Sequence, residues 1–130
     1  MIGIASFLMP HLTLEYSANL NATDVQRCLS ALHEALATLG VELDDCKSRA
    51  YCCEVYCVGA GAPERGFAHL TLAVLDRRSA ASQRAAGQLS LRILEAAFAT
   101  TRLDCDLTVE VRAMRASGYF KARPCGPAPA

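Results

Sequence analysis

The chain has 130 residues, which bounds it to one domain or to two small halves sharing a core. Thirteen basic residues balance thirteen acidic ones, so a nucleic-acid or membrane-surface partner held by bulk charge is excluded as the default. No apolar run approaches the roughly 20 residues of a membrane span.

The opening Met1–Leu8 is apolar, lacks a basic region and is short for a signal peptide. We read residues 1–9 as a leader absent from the mature protein, with Met9 as the true initiator. Its removal would leave Pro10 as a free amino terminus. An internal proline has an amide nitrogen with neither proton nor basicity. A terminal proline is a secondary amine, and terminal amines titrate around 7.7–8.0 before any environmental shift. That lies close to what a general base needs at neutral pH.

Leu12–Tyr16 then alternates as a half-buried strand does. Val25, Cys28, Leu29, Leu32, Leu36 and Leu39 follow at the spacing of one helix face, predicting a helix over Thr23–Leu39. Thr23 is its expected N-cap and Gly40 its stop. Lys47 and Arg49 open a second strand, which the pattern carries through Ser48–Cys57. Val58–Arg65, with Gly59, Gly61 and Pro63, reads as a hinge. A further strand at His69–Leu72 leads to a helix over Ala81–Ala97, capped by Ser79 and striped by Leu89, Ile93, Leu94 and Ala97. Gly87 inside that helix costs up to about 1 kcal/mol against alanine unless something packs closely there. A last strand runs through Asp106–Arg115, and the Pro/Gly/Ala-rich tail 124–130 is expected to be flexible or a strap onto a neighbour.

His11-Leu12-Thr13-Leu14 recurs fifty-eight residues later as His69-Leu70-Thr71-Leu72. The same offset carries helix onto helix and strand onto strand without a gap, which predicts a duplicated β-α-β unit. The repeats span about residues 10–57 and 68–115 of one domain, 10–123.

A right-handed β-α-β unit has parallel strands that start at one sheet edge. Pro10 should therefore lie near Lys47 and Arg49. If the inner strands of the two units are antiparallel, the third strand ends at that edge and brings Arg77 and Arg78 to it. Cations there would disfavour a protonated amine, hold carboxylates and stabilise an enolate oxygen. The matching chemistry is proton transfer between oxygen and carbon beside a carbonyl, which needs neither metal nor organic cofactor.

The seven cysteines, with no export signal, read as reduced thiols in a cytoplasmic protein. Cys52, Cys53 and Cys57 suit buried packing better than a zinc site, so no metal is assigned. His11 and His69 read as structural hydrogen-bonding residues at strand starts, and His33 as a bystander on the polar side of its helix. Phe67, Phe120 and Tyr51 fit a pocket wall or the core equally well. Gly59-Ala60-Gly61 opens no helix and is no phosphate loop.

Pro10-His11-Leu12-Thr13-Leu14-Glu15-Tyr16-Ser17, with Asn19, resembles the start of the 5-carboxymethyl-2-hydroxymuconate isomerases of the tautomerase superfamily. The similarity continues through Lys47-Ser48-Arg49, Phe67-Ala68-His69-Leu70-Thr71-Leu72, Arg78-Ser79 with Arg84 and Gly87, and Tyr119-Phe120-Lys121. It implies an α+β fold in which the two β-α-β units form a four-stranded mixed sheet with two helices on one face. It also implies a homotrimer and a cofactor-independent isomerase of aromatic-acid catabolism. In that family the amino-terminal proline moves a proton within a small unsaturated 2-hydroxy or 2-oxo polycarboxylate. Carried over by residue, Pro10 is the catalytic base and Arg78 binds substrate carboxylate. Lys47 stands where better-known members have a second arginine, keeping the charge without the bidentate fork, and Arg49 can share its role. A hydratase on the same fold would want an extra carboxylate near Pro10, which the sequence does not point out. The rival class is a non-catalytic trimeric binding or scaffold protein, which follows if the leader is retained.

Overall fold

In a computed structural model the described residues are 9–126. The leader residues 1–8 and the last four of the tail, 127–130, lie outside them. The elements are β1 (His11–Ser17), α1 (Ala22–Ala37), β2 (Lys47–Cys53), β3 (Arg65–Leu75), α2 (Ala80–Ala97) and β4 (Asp104–Met114), with short 3₁₀ turns at Leu43–Asp45 and Ala116–Gly118. They form one four-stranded sheet in the order β2-β1-β3-β4. Each β-α-β unit is parallel within itself, and the inner strands β1 and β3 meet antiparallel.

Strand alternation divides the sheet into two unlike faces. Leu12, Leu14 and Tyr16 of β1, with Ala68, Leu70, Leu72 and Val74 of β3, point to the helices and form the buried core. α1 adds Val25, Cys28, Leu29, Leu32 and Leu36, and α2 adds Ala86 and Leu94. His11, Thr13, Glu15, Lys47, Arg49, Tyr51, His69 and Thr71 share the opposite face by register, and neither helix covers it.

Where the β1–β3 ladder ends, side chains take it over. Phe67 N–H donates to Ser17 Oγ at 2.9 Å, and Asn19 Nδ2 donates to the Arg65 carbonyl at 2.8 Å. Tyr16-Ser17-x-Asn19 is therefore a splice between the two units. At Gly87 an added Cβ would stand 2.9 Å from Val111, so α2 approaches β4 more closely than alanine permits.

Some local expectations are corrected. The α1 N-cap is Asn21, whose side chain accepts from Thr23 N–H and Asp24 N–H, because an Asx side chain reaches both orphan donors. α1 ends at Ala37, and Leu39 beyond it is 38% exposed instead of completing the stripe. β2 ends at Cys53, leaving Cys57 in the loop, and Cys52 and Cys57 are exposed rather than buried. The repeat also contains a gap. His11 pairs with Lys47, but His69 pairs with Thr108, three residues beyond the position that the 58-residue offset gives. An odd shift reverses which side chains of β4 face the core, and α2, at 18 residues against 16, takes up part of it.

Candidate active site

Pro10 precedes β1, and its side chain is fully buried, under 2% exposed. Its carbonyl accepts from Lys47 N–H at 3.2 Å, which ties the head of β1 to the head of β2. Met9 before it has φ of 41°. That left-handed conformation is strained for any residue with a Cβ, and a following proline favours extended backbone instead.

Because His11 pairs with Ala73, Pro10 is level with Val74 of β3. Val74 lines a cavity of about 100 Å³ on the helix face, together with Arg78, Ser82, Gln83, Leu39 and Val41. This is room for a carboxylate head group, roughly the liquid volume of three waters. The cavity adjoins the first turn of α2, where the helix dipole favours an anion even though the Ser82 and Gln83 N–H groups are taken by Ser79. Arg78 Nε is buried there without a hydrogen-bond partner. A buried guanidinium donor left unmatched is costly, and an anionic ligand would satisfy it.

Lys47 and Arg49 do not share that cavity. Their side chains lie on the open face with His11. Arg49 Nη1 donates to His11 Nδ1 at 3.1 Å, and His11 Nε2 lies 2.9 Å from Tyr119 Oη. An arginine can only donate, so Nδ1 is the acceptor and the ring proton sits on Nε2. His11 thus donates to the Tyr119 oxygen and leaves that hydroxyl its own hydrogen to give elsewhere. Burial first, then the Arg49 and Lys47 charges, lowers the His11 pKa from its ordinary value. His11 is the centre of a polar relay, beyond the strand-start role its position suggests.

A second pocket of about 420 Å³ opens on this face, lined by His11, Asp44, Lys47 and the returning segment 119–123. Lys47 Nζ donates to the Asp45 carbonyl at 3.0 Å, and Lys121 Nζ pairs with Asp45 Oδ1 at 3.1 Å. Lys121 Nζ also lies 3.7 Å from Met9 Sδ, beside the residue that precedes Pro10. Asp45, Tyr119 and Lys121 are absent from the sequence-derived site. Tyr119-Phe120-Lys121 stood among the resembling segments, and that was the available signal. Asp45 carried none, because its role arises from a 3₁₀ turn that no motif marks. Phe120 is 89% exposed and walls this pocket rather than the core.

His33, read as a bystander, has Nε2 2.8 Å from Ser48 Oγ, and burial lowers its pKa. The bond fastens α1 to the edge strand β2.

The fold is that of the tautomerase superfamily. It matches a solved structure named as a fused 4-OT wild-type asymmetric trimer with a TM-score of 0.66 at 8% identity, covering 85% of this chain and 91% of that one. The model of the 5-carboxymethyl-2-hydroxymuconate isomerase family matches residues 10–125, and the chain belongs to that family. A 5-carboxymethyl-2-hydroxymuconate isomerase from Deinococcus radiodurans R1 superposes with a TM-score of 0.82 at 26% identity, over 91% of this chain and 92% of that one. A 5-carboxymethyl-2-hydroxymuconate delta-isomerase gives a TM-score of 0.76 at 24% identity, with coverages of 92% and 90%. A search of curated proteins gives no match. The family match begins at Pro10.

Proposed function

We propose that the mature protein begins at Pro10 and that its secondary amine is the general base of an isomerase acting on a 5-carboxymethyl-2-hydroxymuconate-like polycarboxylate. The amine takes the substrate's 2-hydroxyl proton, and the O–H electron pair becomes the carbonyl. The conjugated pairs move along the chain, and the far carbon takes the proton back from nitrogen. Proton and charge are conserved on the enzyme over one turnover. Arg78 binds a carboxylate in its cavity, and Lys47, with Arg49 acting through His11, serves the other side of Pro10.

The observation that carries this reading is the orphaned Arg78 Nε in a cavity level with Pro10. The strained Met9 conformation supports it as well, since excision of Met9 removes the strain together with the amide. The uncovered sheet face supports a homotrimer, and the fold neighbour named as a trimer agrees with that. The wider setting of this reading is cytoplasmic aromatic-acid catabolism.

Intact mass, measured denatured and native on protein made from its own gene, tests the start and the assembly together. A mass beginning at Pro10, a threefold native mass and turnover of 5-carboxymethyl-2-hydroxymuconate are the expected results. A chain retaining Met9 that still isomerises this substrate would overturn the proline mechanism.

A further inference from the structure

Arg78 Nε brings one hydrogen to the helix-face cavity, whereas a carboxylate has two oxygens to satisfy. A second donor stands in the first turn of α2. Ser82 is half-buried and lines the same cavity. Its hydroxyl is tied to the helix cap by a pair of bonds. Ser79 Oγ accepts the Ser82 N–H at 3.1 Å and gives its own hydrogen to Ser82 Oγ at 3.1 Å. A serine hydroxyl has one hydrogen, so the cap uses that of Ser79 and leaves that of Ser82. Among the described residues no acceptor takes it.

The frame that carries both donors is fixed. Gln83 N–H donates to the Ser79 carbonyl at 3.0 Å, and Gln83 Nε2 donates to the Arg78 carbonyl at 3.1 Å. Residues 78–83 are thereby closed on themselves, and Arg78 is held against the helix that presents Ser82. Leu39, Val41, Val74 and Ala86 make much of the remaining wall apolar. Two single donors in about 100 Å³ suit the two oxygens of one flat carboxylate. A phosphate would bring a third oxygen and a second charge, and burying them unmatched is costly.

We propose that Ser82 is a specificity-determining residue of this cavity, its hydroxyl donating to the second oxygen of the carboxylate that Arg78 Nε holds. The proposal rests on the isomerase reading for its substrate, whereas the binding step needs no base.

The Arg78 Nε–H resonance in a proton–nitrogen correlation spectrum reports on the cavity directly, and its absence from Arg78→Lys identifies it. Sorbate, a diene acid with a single carboxylate, is titrated into the full-length chain and moves this resonance saturably. Sorbamide, of the same shape without the charge, moves it little at the same concentrations. Ser82→Ala weakens sorbate about tenfold or more, within the range of one hydrogen bond to a charged group. Alanine suits a helix better than serine, so that variant folds. Ser82→Thr keeps the hydroxyl and most of the affinity. Unchanged affinity in Ser82→Ala, an equal loss in Ser82→Thr, an equal response to sorbamide, or no saturable shift with sorbate overturns the assignment. Sorbate has no hydroxyl proton to transfer, so Pro10→Ala leaves the Ser82 effect in place. Absence of that effect while turnover still depends on Pro10 sinks the Ser82 assignment alone, and retained turnover in Pro10→Ala sinks the proline base alone.

Discussion

The two β-α-β units start from nearly the same strand and end as different objects. In the second unit, β3 begins at Arg65, four residues before His69, and β4 extends to meet it from Asp104. The end is closed by Arg65, which pairs with Asp106 at 3.0 Å and Asp104 at 3.6 Å. His69 faces Thr108 Oγ1 at 2.7 Å and Glu110 at 3.9 Å. In the first unit β1 runs from His11, and β2 pairs with it from Lys47, just after the 3₁₀ turn Leu43–Asp45. At this head Asp44, Lys47 and Lys121 line an open pocket, and His11 faces arginine and tyrosine instead of a carboxylate. One head is closed by ion pairs, and the other presents cations and a tyrosine to an open pocket.

The largest effect expected separates the two strand heads by activity. Pro10→Ala leaves a primary amine and lowers kcat/KM by about 10²–10⁴-fold, while His69→Asn in the other unit leaves turnover unchanged. Steady-state kinetics on 5-carboxymethyl-2-hydroxymuconate decides it, and comparable losses in both would erase the functional asymmetry.

The core should be symmetric where the ends are not. Leu12 and Leu70 are repeat equivalents with no exposed surface, and each Leu→Ala change should cost about 2–5 kcal/mol in urea unfolding. A large inequality would place most of the shared core in one unit. Helix packing is asymmetric: Gly87 occupies the place of Leu29, and Gly87→Ala meets Val111. Overpacking of about 1–3 kcal/mol should outweigh the gain in helix propensity, so a more stable Gly87→Ala variant would contradict the close approach.

Arg65→Met tests whether the closed end is only structural. Its pairs are part-exposed, so the loss should stay under about 1 kcal/mol, with no change in turnover. The smallest effect is in pH. Burial lowers the pKa of His33, so the unfolded chain binds a proton before the folded one does. Stability is then lost as pH falls from about 6.5 towards the lowered folded value. His33→Gln should flatten that part of the urea-midpoint profile between pH 7.5 and 5.5.

Much of this was legible in the sequence because periodicity reports burial directly. The α1 stripe and the strand alternation follow from which residues must leave water, the duplicated unit from the recurring His-Leu-Thr-Leu, and the mixed sheet from the family resemblance. The edge shared by Pro10 and Lys47 followed from the handedness of crossovers, and Arg78 joined it on the condition that the inner strands run antiparallel, as they do. What strand alternation did not settle was the face. Pro10 is level with core-facing Val74, whereas Lys47 and Arg49 point the other way, so a cluster at one edge became two pockets. The gap in the repeat was hidden because both registers of β4 read as strand. Lys121 and Asp45 were hidden because 76 residues separate them in sequence, and no local pattern marks a contact that only folding makes.

Lys121 also lies 112 residues from Met9, so the candidate site joins parts of the chain synthesised far apart in time. At about 5–20 residues per second, roughly 6–22 s of translation separate the two. Under the proposed start at Pro10, Met9 is trimmed while Lys121 is still unmade. A nascent chain can therefore present Pro10 while it still lacks its lysine wall, and the pocket is complete only once Lys121 has been made.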